Sequence, residues 1–528
     1  MSDIAWWQNG VIYQVYPRSF QDTNGDGVGD LKGISQRLDH LVDLGIAAVW
    51  ISPIFPSPMR DFGYDVSEYC AIHPLFGSLD DFDALLEAAH ERGLKIILDF
   101  VPNHTSDQHP WFRESRSAKA NPKREWYVWR DAKPDGSLPN NWESEFGGPA
   151  WTYDDVTGQY YYHAFLKDQP DLNWRNPDVE RAMCEVLRFW FDRGVDGFRV
   201  DAIHHLHEDE EDRDNPPDPD WRPGMAPNTR WLPIRTIDQP DVHDSIAAMR
   251  RVADAYPDRV MIGEAYLPID RLMAYYGTDL TGFHLPFNFH LISTEWRPKA
   301  IATLIEDYEA ALPAGGWPNW VLGNHDRPRV ASRIGRVQAR VAAMLLLTLR
   351  GTPTIYQGEE IGMADVPIPP HLVQDPFERN VPGFGLGRDP VRTPMPWTSE
   401  ANGGFTEGHP WLPLNADADT LNVSSQASDP RSMLSLYRAL IHLRRDSDVL
   451  LFGSFRVLAA TEHVLAYERQ LAGQRIIVAL NMSGQARSLQ IATPRHEMLL
   501  STYLSDPAPA DDKEIRLRAD EGIILRAG

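Results

Sequence analysis

Ile34-Ser-Gln-Arg-Leu-Asp-His-Leu-Val-Asp-Leu-Gly-Ile-Ala-Ala-Val-Trp-Ile-Ser52 is the stretch that decides the fold. Ile34, Leu38, Leu41 and Val42 fall at helical spacing, Gly45 stops the helix, and Ala47–Ser52 reads as a short buried strand. The same unit recurs outward along the chain. Leu79, Phe82, Leu85, Leu86 and Ala89 lead to Gly93 and then to Lys95–Phe100. Pro177–Phe191 leads to Gly194 and then to Gly197–Ala202. Further runs at Val11–Tyr16, Val260–Tyr266, Gly282–Phe287, Trp320–His325 and Thr352–Gln357 bring the strands to eight. That is the number for a closed parallel (β/α)8 barrel of the TIM type. An open doubly wound sheet is the alternative, but no Gly-rich phosphate loop follows the first strand.

The spacing breaks once. Between Phe100 and Asn176 lies a long stretch rich in Trp, Tyr, Asn and Gly. Connections of that length usually carry function or a fold of their own. It is expected to form a subdomain, residues 104–173, inserted after the third strand over the barrel mouth. After a helix at Pro430–Arg445 the apolar period changes to two. His463–Glu468, Arg475–Leu480, Ser488–Ile491, Met498–Tyr503, Glu514–Arg518 and Ile523–Leu525 then read as antiparallel strands. The expected organisation is a barrel from residues 1–103 and 174–448 and a C-terminal antiparallel β-sandwich over 449–528.

Composition excludes several classes. The chain has 528 residues, 42% of them hydrophobic and 24% charged, as a soluble globular protein has. Its formal net charge of −24 opposes binding to nucleic acid or an anionic membrane surface. Cys70 and Cys184 are the two cysteines, too few for a disulfide framework or thiolate zinc site. They read as small buried apolar residues. Met1–Gln8 does not read as a signal peptide, and no run of about 18 apolar residues occurs. A cytoplasmic location is the expectation.

Polar residues at the C-terminal ends of barrel strands line the active site of such folds. Here those ends carry Asp99, His104, Arg199, Asp201, Glu264, His325 and Asp326. A lone acidic strand terminus is more often a helix cap; carboxylates on several strands are not. Two carboxylates about 5–5.5 Å apart suit retaining glycoside hydrolysis, one as nucleophile and one as acid/base. Arg199, two residues before Asp201, shares its strand face and is expected to keep Asp201 ionised. Glu264, beside other carboxylates, is expected to have a raised pKa and to protonate the leaving oxygen. Asp326 is expected to orient sugar hydroxyls and to support the cationic transition state.

Asp99-Phe-Val-Pro-Asn-His104, Gly197-Phe-Arg-Val-Asp201, Gly263-Glu-Ala265 and Gly323-Asn-His-Asp326 resemble, in order, the four signatures of the α-amylase superfamily. Gln169-Pro-Asp-Leu-Asn173 is similar to a fifth signature, and Gly351–Glu360 to that of the eighth strand. With Arg392-Thr-Pro-Met-Pro-Trp397, they resemble the α-glucosidase and oligo-1,6-glucosidase branch, over essentially the whole chain. The resemblance implies Asp201 as nucleophile, Glu264 as acid/base and Asp326 as transition-state stabiliser. It implies Asp61, Tyr64, His104, Arg199, His325 and Arg392 as holders of the terminal glucose, with Phe146 and Phe165 as aromatic walls. Phe62 departs from the Asn often found after the matching aspartate. Ala202, smaller than the valine of α-1,6-preferring relatives, points to short α-1,4 glucosides or sucrose over isomaltose.

Asp22, Asn24, Asp26, Val28 and Asp30 place oxygen ligands at alternate positions, although Gly33 stands where an EF-hand loop has its glutamate. Similar loops in this branch hold a structural Ca2+ or Mg2+, and the alternative is an Asx-rich surface turn. No organic cofactor is expected. His204, His205 and His207 read as structural rather than metal-binding, and Glu208–Asp214 as a solvated loop after the fourth strand, with a place on the pocket rim as the alternative. The expected partners are small α-glucosides with sugar or alcohol acceptors. Three readings compete: an oligo-1,6-glucosidase or a glucosyl transferase or isomerase using the same intermediate, a non-catalytic transporter-subunit relative, and a carbohydrate-binding module. The second normally lacks the catalytic carboxylates and carries an anchor, and the third has no need of the acid/base pair.

Overall fold

The computed structural model describes residues 4–490, 496–505 and 514–527. Strands β1 (Ile12–Val15), β2 (Ala48–Ile51) and β3 (Lys95–Phe100) are followed by three short strands. These are β4 (Trp129–Arg130), β5 (Trp151–Asp154) and β6 (Gln159–Tyr162). Next come β7 (Gly197–Val200), β8 (Val260–Gly263), β9 (Leu285–Asn288), β10 (Asn319–Val321) and β11 (Thr352–Tyr356). Strands β1, β2, β3, β7, β8, β9, β10 and β11 close in chain order into a parallel barrel, β11 pairing back onto β1. The expected (β/α)8 architecture is present. Leu285 rather than Gly282 begins β9, because Gly282 packs against Tyr275–Gly277 in a turn.

Local chemistry starts and stops the helices. Ser78 accepts the Asp81 N–H while Asp81 accepts the Ser78 N–H, a capping box that opens the helix Leu79–Glu91. Asn176 caps Pro177–Asp192, with proline at its first position. Gly45 ends its helix at φ 91°, and a Cβ there would lie 2.8 Å from Ile441. Two short helices, Leu31–Gln36 and Leu38–Leu44, replace the single helix expected here. Val42 lies off their buried face, 40% exposed.

Strands β4, β6 and β5 form the inserted antiparallel sheet after β3. Its small core holds Val128, Trp142, Trp151 and Tyr162. The C-terminal region adds β12 (Ser454–Ala460), β13 (Val464–Leu471), β14 (Gln474–Asn481), β15 (Arg487–Gln490), β16 (His496–Ser501), β17 (Glu514–Leu517) and β18 (Gly522–Ala527). Five of them form one antiparallel sheet, and β15 pairs with β17. Leu489, Ile515 and Leu517 of that pair pack on Val464, Ala466, Ile477 and Leu525 of the larger sheet. Leu465, Tyr467, Val478 and Ile524, on its other face, join the main core with the barrel helices. The sandwich therefore has unequal halves, and the larger sheet is buried on both faces. Strand β12 was missed because its residues are mostly half-exposed and show no clean alternation. Ile491, at the end of an expected strand, lies outside the described residues. No helix among the described residues is long and apolar enough to cross a membrane.

Candidate active site

Parallel register brings the chemistry to one end of the barrel. Asp99 of β3 pairs with Arg199 of β7, and Val200 with Gly263 of β8. Asp201 and Glu264 therefore leave neighbouring strands at the same level. The Asp201 N–H still donates to the Phe100 carbonyl (2.8 Å) and the Glu264 N–H to the Val200 carbonyl (2.9 Å). Both carboxylates rest on one guanidinium: Arg199 Nη1 donates to Asp201 Oδ1 at 2.5 Å, and Arg199 Nη2 pairs with Glu264 Oε2. Arg199 Nη1 also reaches Asp99 Oδ1 at 2.7 Å. Ala202, at φ 42° and ψ 36°, turns its N–H onto Glu264 Oε2 at 3.1 Å.

Three carboxylates around one cation change the expected balance at Asp201. Burial raises its pKa well above the ordinary value; Arg199 opposes this, and Glu264 and Asp99 add to it. Burial and the neighbouring carboxylates Glu264 and Asp99 therefore work against the charge on Asp201 that Arg199 favours. Asp326 behaves oppositely. Burial works against its charge, but the field of His325, Arg392, Arg388 and Arg199 outweighs it and holds the carboxyl below the usual range. Burial itself keeps the His325 ring neutral, so the arginines supply that field.

A hydrogen-bonded chain fixes the pocket floor. Gln14 Nε2 lies 2.8 Å from His325 Nδ1, and His325 Nε2 lies 2.7 Å from the Tyr64 hydroxyl. That hydroxyl donates to Asp99 Oδ2 (3.1 Å), as does Trp50 Nε1 (3.1 Å). Arg392 Nε donates to the His325 carbonyl (2.9 Å) and Nη2 to Asp326 Oδ1 (2.7 Å). Arg388 ties Asp61 (2.7 Å) to Asp375 (2.6 Å) and lies 4.9 Å over the Phe146 ring. Gln169 Nε2 donates to the other oxygen of Asp61 at 3.2 Å. Burial lowers His104 to about 3, so that imidazole is neutral.

The resulting cavity, about 480 Å³, is lined by Asp61, Tyr64, His104, Phe146, Phe165, Asp201, Ala202, Glu264 and Asp326 among others. Arg199, His325 and Arg392 support it from beneath as buried groups. Sequence reasoning missed Glu145, His204, His205, Tyr266, Arg327, Phe377 and Arg388, which also line it. His204 and His205, read as structural, pack against one another with tilted rings (4.4 Å), and His205 also packs on Phe165 (5.2 Å). Glu208 and Asp209 are buried rather than solvated; the exposed part of that run begins at Glu210. Cys184 is buried and Cys70 half-buried.

The Asp22–Asp30 loop is a set of Asx turns. Asp22 Oδ1 accepts the Asn24 and Gly25 N–H groups (2.8 and 2.9 Å). Asn24 Oδ1 accepts from Asp26 and Asp26 Oδ1 from Val28, both at 2.9 Å. Asp30 accepts from Thr23 and Gly33. Among the described residues no three His, Cys, Asp or Glu side chains converge as a metal-binding group.

The catalytic-domain model of the alpha-amylase family matches residues 14–453. A probable alpha-glucosidase of Rhizobium meliloti (strain 1021) is 42% identical, covering 94% of this chain and 93% of its own length. An oligo-1,6-glucosidase of Parageobacillus thermoglucosidasius is 38% identical, covering 99% of each. The solved structure of an alpha-glucosyl transfer enzyme superposes with a TM-score of 0.95 at 41% identity, covering 100% of both chains. The trehalulose synthase of Pseudomonas mesoacidophila MX-45 gives 0.90 at 34%, covering 99% of this chain and 100% of its own. Barrel, carboxylate pocket and relatives define a glycoside hydrolase of the α-glucosidase kind. The chain belongs to the alpha-amylase family, close to the α-glucosidases and oligo-1,6-glucosidases.

Proposed function

We propose that the chain is a retaining, exo-acting α-glucosidase that removes terminal non-reducing α-linked glucose from short α-glucosides and also transfers it to sugar or alcohol acceptors. The observation that carries the exo reading is the Asp61–Arg388–Asp375 ion-pair set beside Phe146, a buried charged wall suited to holding the hydroxyls of a terminal sugar. Asp201 attacks the anomeric carbon while Glu264 protonates the leaving oxygen, giving a β-linked glucosyl ester. Glu264 then takes a proton from the incoming water, which attacks the same carbon as the C1–Oδ bond breaks and its electron pair returns to Asp201, restoring the α configuration. Two carboxylates held by one guanidinium support the short separation of about 5–5.5 Å that this route needs. Asp326 stays ionised beside Arg392 and offsets the cationic transition state.

Ala202 supports a preference for maltose, malto-oligosaccharides or sucrose over isomaltose, since it lacks the β-branch that would crowd the leaving-sugar side. A few methyl contacts are worth about 1–3 kcal/mol, so the preference is roughly 10–200-fold. The test is kcat/KM for maltose and isomaltose under one set of conditions, with soluble starch beside them. Faster turnover of isomaltose would reverse the linkage reading, and rapid loss of starch viscosity with little free glucose would end the exo reading. The Asp22–Asp30 loop suits a hard cation through its all-oxygen donors, Asp22, Asn24, Asp26, Asp30 and the Val28 carbonyl. Ca2+ or Mg2+ there would brace the loop and take no part in the reaction.

A further inference from the structure

Two charges at the pocket mouth are unused by that mechanism. Glu145 extends from the insert, its main chain held by the Ala164 carbonyl (2.8 Å) and by Asn228 Nδ2 (3.0 Å). Its carboxylate opens into the cavity and makes no hydrogen bond or ion pair among the described residues. Arg327 follows Asp326 in the chain, and its guanidinium lies 4.8 Å over the Tyr266 ring, again with no ion pair among the described residues. Tyr266 is braced in turn by stacking on Phe289 at 4.3 Å and by Asn324 Nδ2 at 3.3 Å.

The two groups sense one another without touching. Both side chains reach solvent at the cavity mouth, and the cavity walls around the Glu145 carboxyl push it up while Arg327 opposes the shift. Arg327 in turn feels Tyr266, Asp326 and Glu264. The Tyr266 ring beneath it lies two residues beyond Glu264, and all three line the same cavity, which sets Arg327 on the side of the acid/base where the leaving oxygen departs. An acceptor on one lip and a five-donor fork on the other leave a gap wider than an ion pair. A molecule with neighbouring hydroxyls, each both donor and acceptor, fills that gap.

We propose that Glu145 and Arg327 form the recognition site for the hydroxyls of the leaving sugar and of the acceptor sugar that replaces it, and so set the division between transfer and hydrolysis. This rests on the glucosidase reading above. In the transfer step, C1 of glucose is esterified to Asp201. A hydroxyl oxygen of the sugar held by Glu145 and Arg327 attacks C1, and its proton passes to the Glu264 carboxylate. The C1–Oδ bond breaks with its electron pair returning to Asp201. Water makes the same attack without using the pair.

The experiment feeds the full-length enzyme a p-nitrophenyl α-glucoside with maltose as acceptor, and in a parallel series with methanol. With the sugar of the aryl glucoside 13C-labelled, nitrophenol counts every glucosyl-enzyme formed from it and labelled free glucose counts those taken by water, unlabelled glucose cut from maltose being left out, so their ratio is independent of how much of a variant folds. In Glu145→Ala and Arg327→Ala, transfer to maltose relative to hydrolysis should fall about tenfold or more. Transfer to methanol, with its single hydroxyl, should keep its ratio to within about twofold. Glu145→Gln and Arg327→Lys, which keep a polar partner, should lose less than the alanine variants. Unchanged maltose ratios, or maltose and methanol ratios falling together, would overturn the proposal while leaving the glucosidase reading standing. No glucose release from the aryl glucoside by the unaltered enzyme would overturn both.

Discussion

Ala202 carries more than its size. At φ 42° it sits in the left-handed region, which costs any residue with a Cβ and costs a β-branched one more. That turn is what aims the Ala202 N–H at Glu264 Oε2 and the Ile203 N–H at the Glu264 carbonyl (3.2 Å). Ala202→Val should therefore lower stability by about 1–2 kcal/mol as well as shift linkage preference, and Ala202→Gly should not. Urea midpoints of the two variants check this; a valine variant as stable as the unaltered chain would show the turn to be unstrained. The sequence reading reached Ala202 as a small side chain only, since nothing in an alanine announces a positive φ. Phe62, at φ 50°, hid its conformation in the same way. The alternation that set Arg199 and Asp201 on one strand face was legible. The balance at Asp201 was not, because it depends on Asp99 and Glu264 arriving from two other strands.

Among the elements, those with a period were readable and those without were not. Eight apolar runs placed the barrel, and strand-end positions placed Asp201, Glu264 and Asp326. Arg388 escaped notice because Gly385-Leu-Gly-Arg-Asp389 is irregular chain with no apolar period, and its partners Asp61 and Asp375 are remote in sequence. Glu208 and Asp209 escaped because a run of charges reads as a solvated face; here the chain passes beneath the insert, and Arg175 holds the Glu208 carbonyl at 2.8 Å. The Asp22–Asp30 loop is a local element with a local prediction. A cation bound only to the native state at a hundred times its Kd adds about 2.7 kcal/mol. Chelator should lower Tm by a few degrees while activity at low temperature persists, and Asp26→Ala should abolish that response. Complete loss of turnover with the fold intact would assign the metal to catalysis.

At the scale of the whole molecule, the main core seals in carboxyl groups whose protonation couples stability to pH. Glu359 is buried, and among the described residues neither carboxylate oxygen has a hydrogen-bond partner of good geometry. Burial pushes it up to about 8; Glu360 adds to this, and Arg329 and Arg333 oppose it. Its folded pKa lies above the ordinary 4.5, so the native state keeps a proton that the unfolded chain has released. That contribution is complete below about pH 4.5 and is lost as pH rises through about 8. Asp65, raised to about 6, and Glu208, raised to about 8, act in the same sense, so the useful quantity is a difference between variants. Glu359→Gln should gain stability relative to the unaltered chain between those limits, on the order of a few kcal/mol. Denaturant titrations at several pH values measure it; parallel pH profiles for the two proteins would place the charge elsewhere.

The central claim is that Asp201 and Glu264, held by Arg199, carry glucose through a covalent ester with two inversions. Proton NMR of the first glucose released from a p-nitrophenyl α-glucoside, recorded before mutarotation, tests it most directly, because every glucose set free then carries the reacted anomeric carbon. The account predicts α-glucose as the initial product, with the β anomer growing in later at the rate of spontaneous mutarotation. Initial β-glucose would mean direct attack by water, and the roles given to the two carboxylates would be wrong.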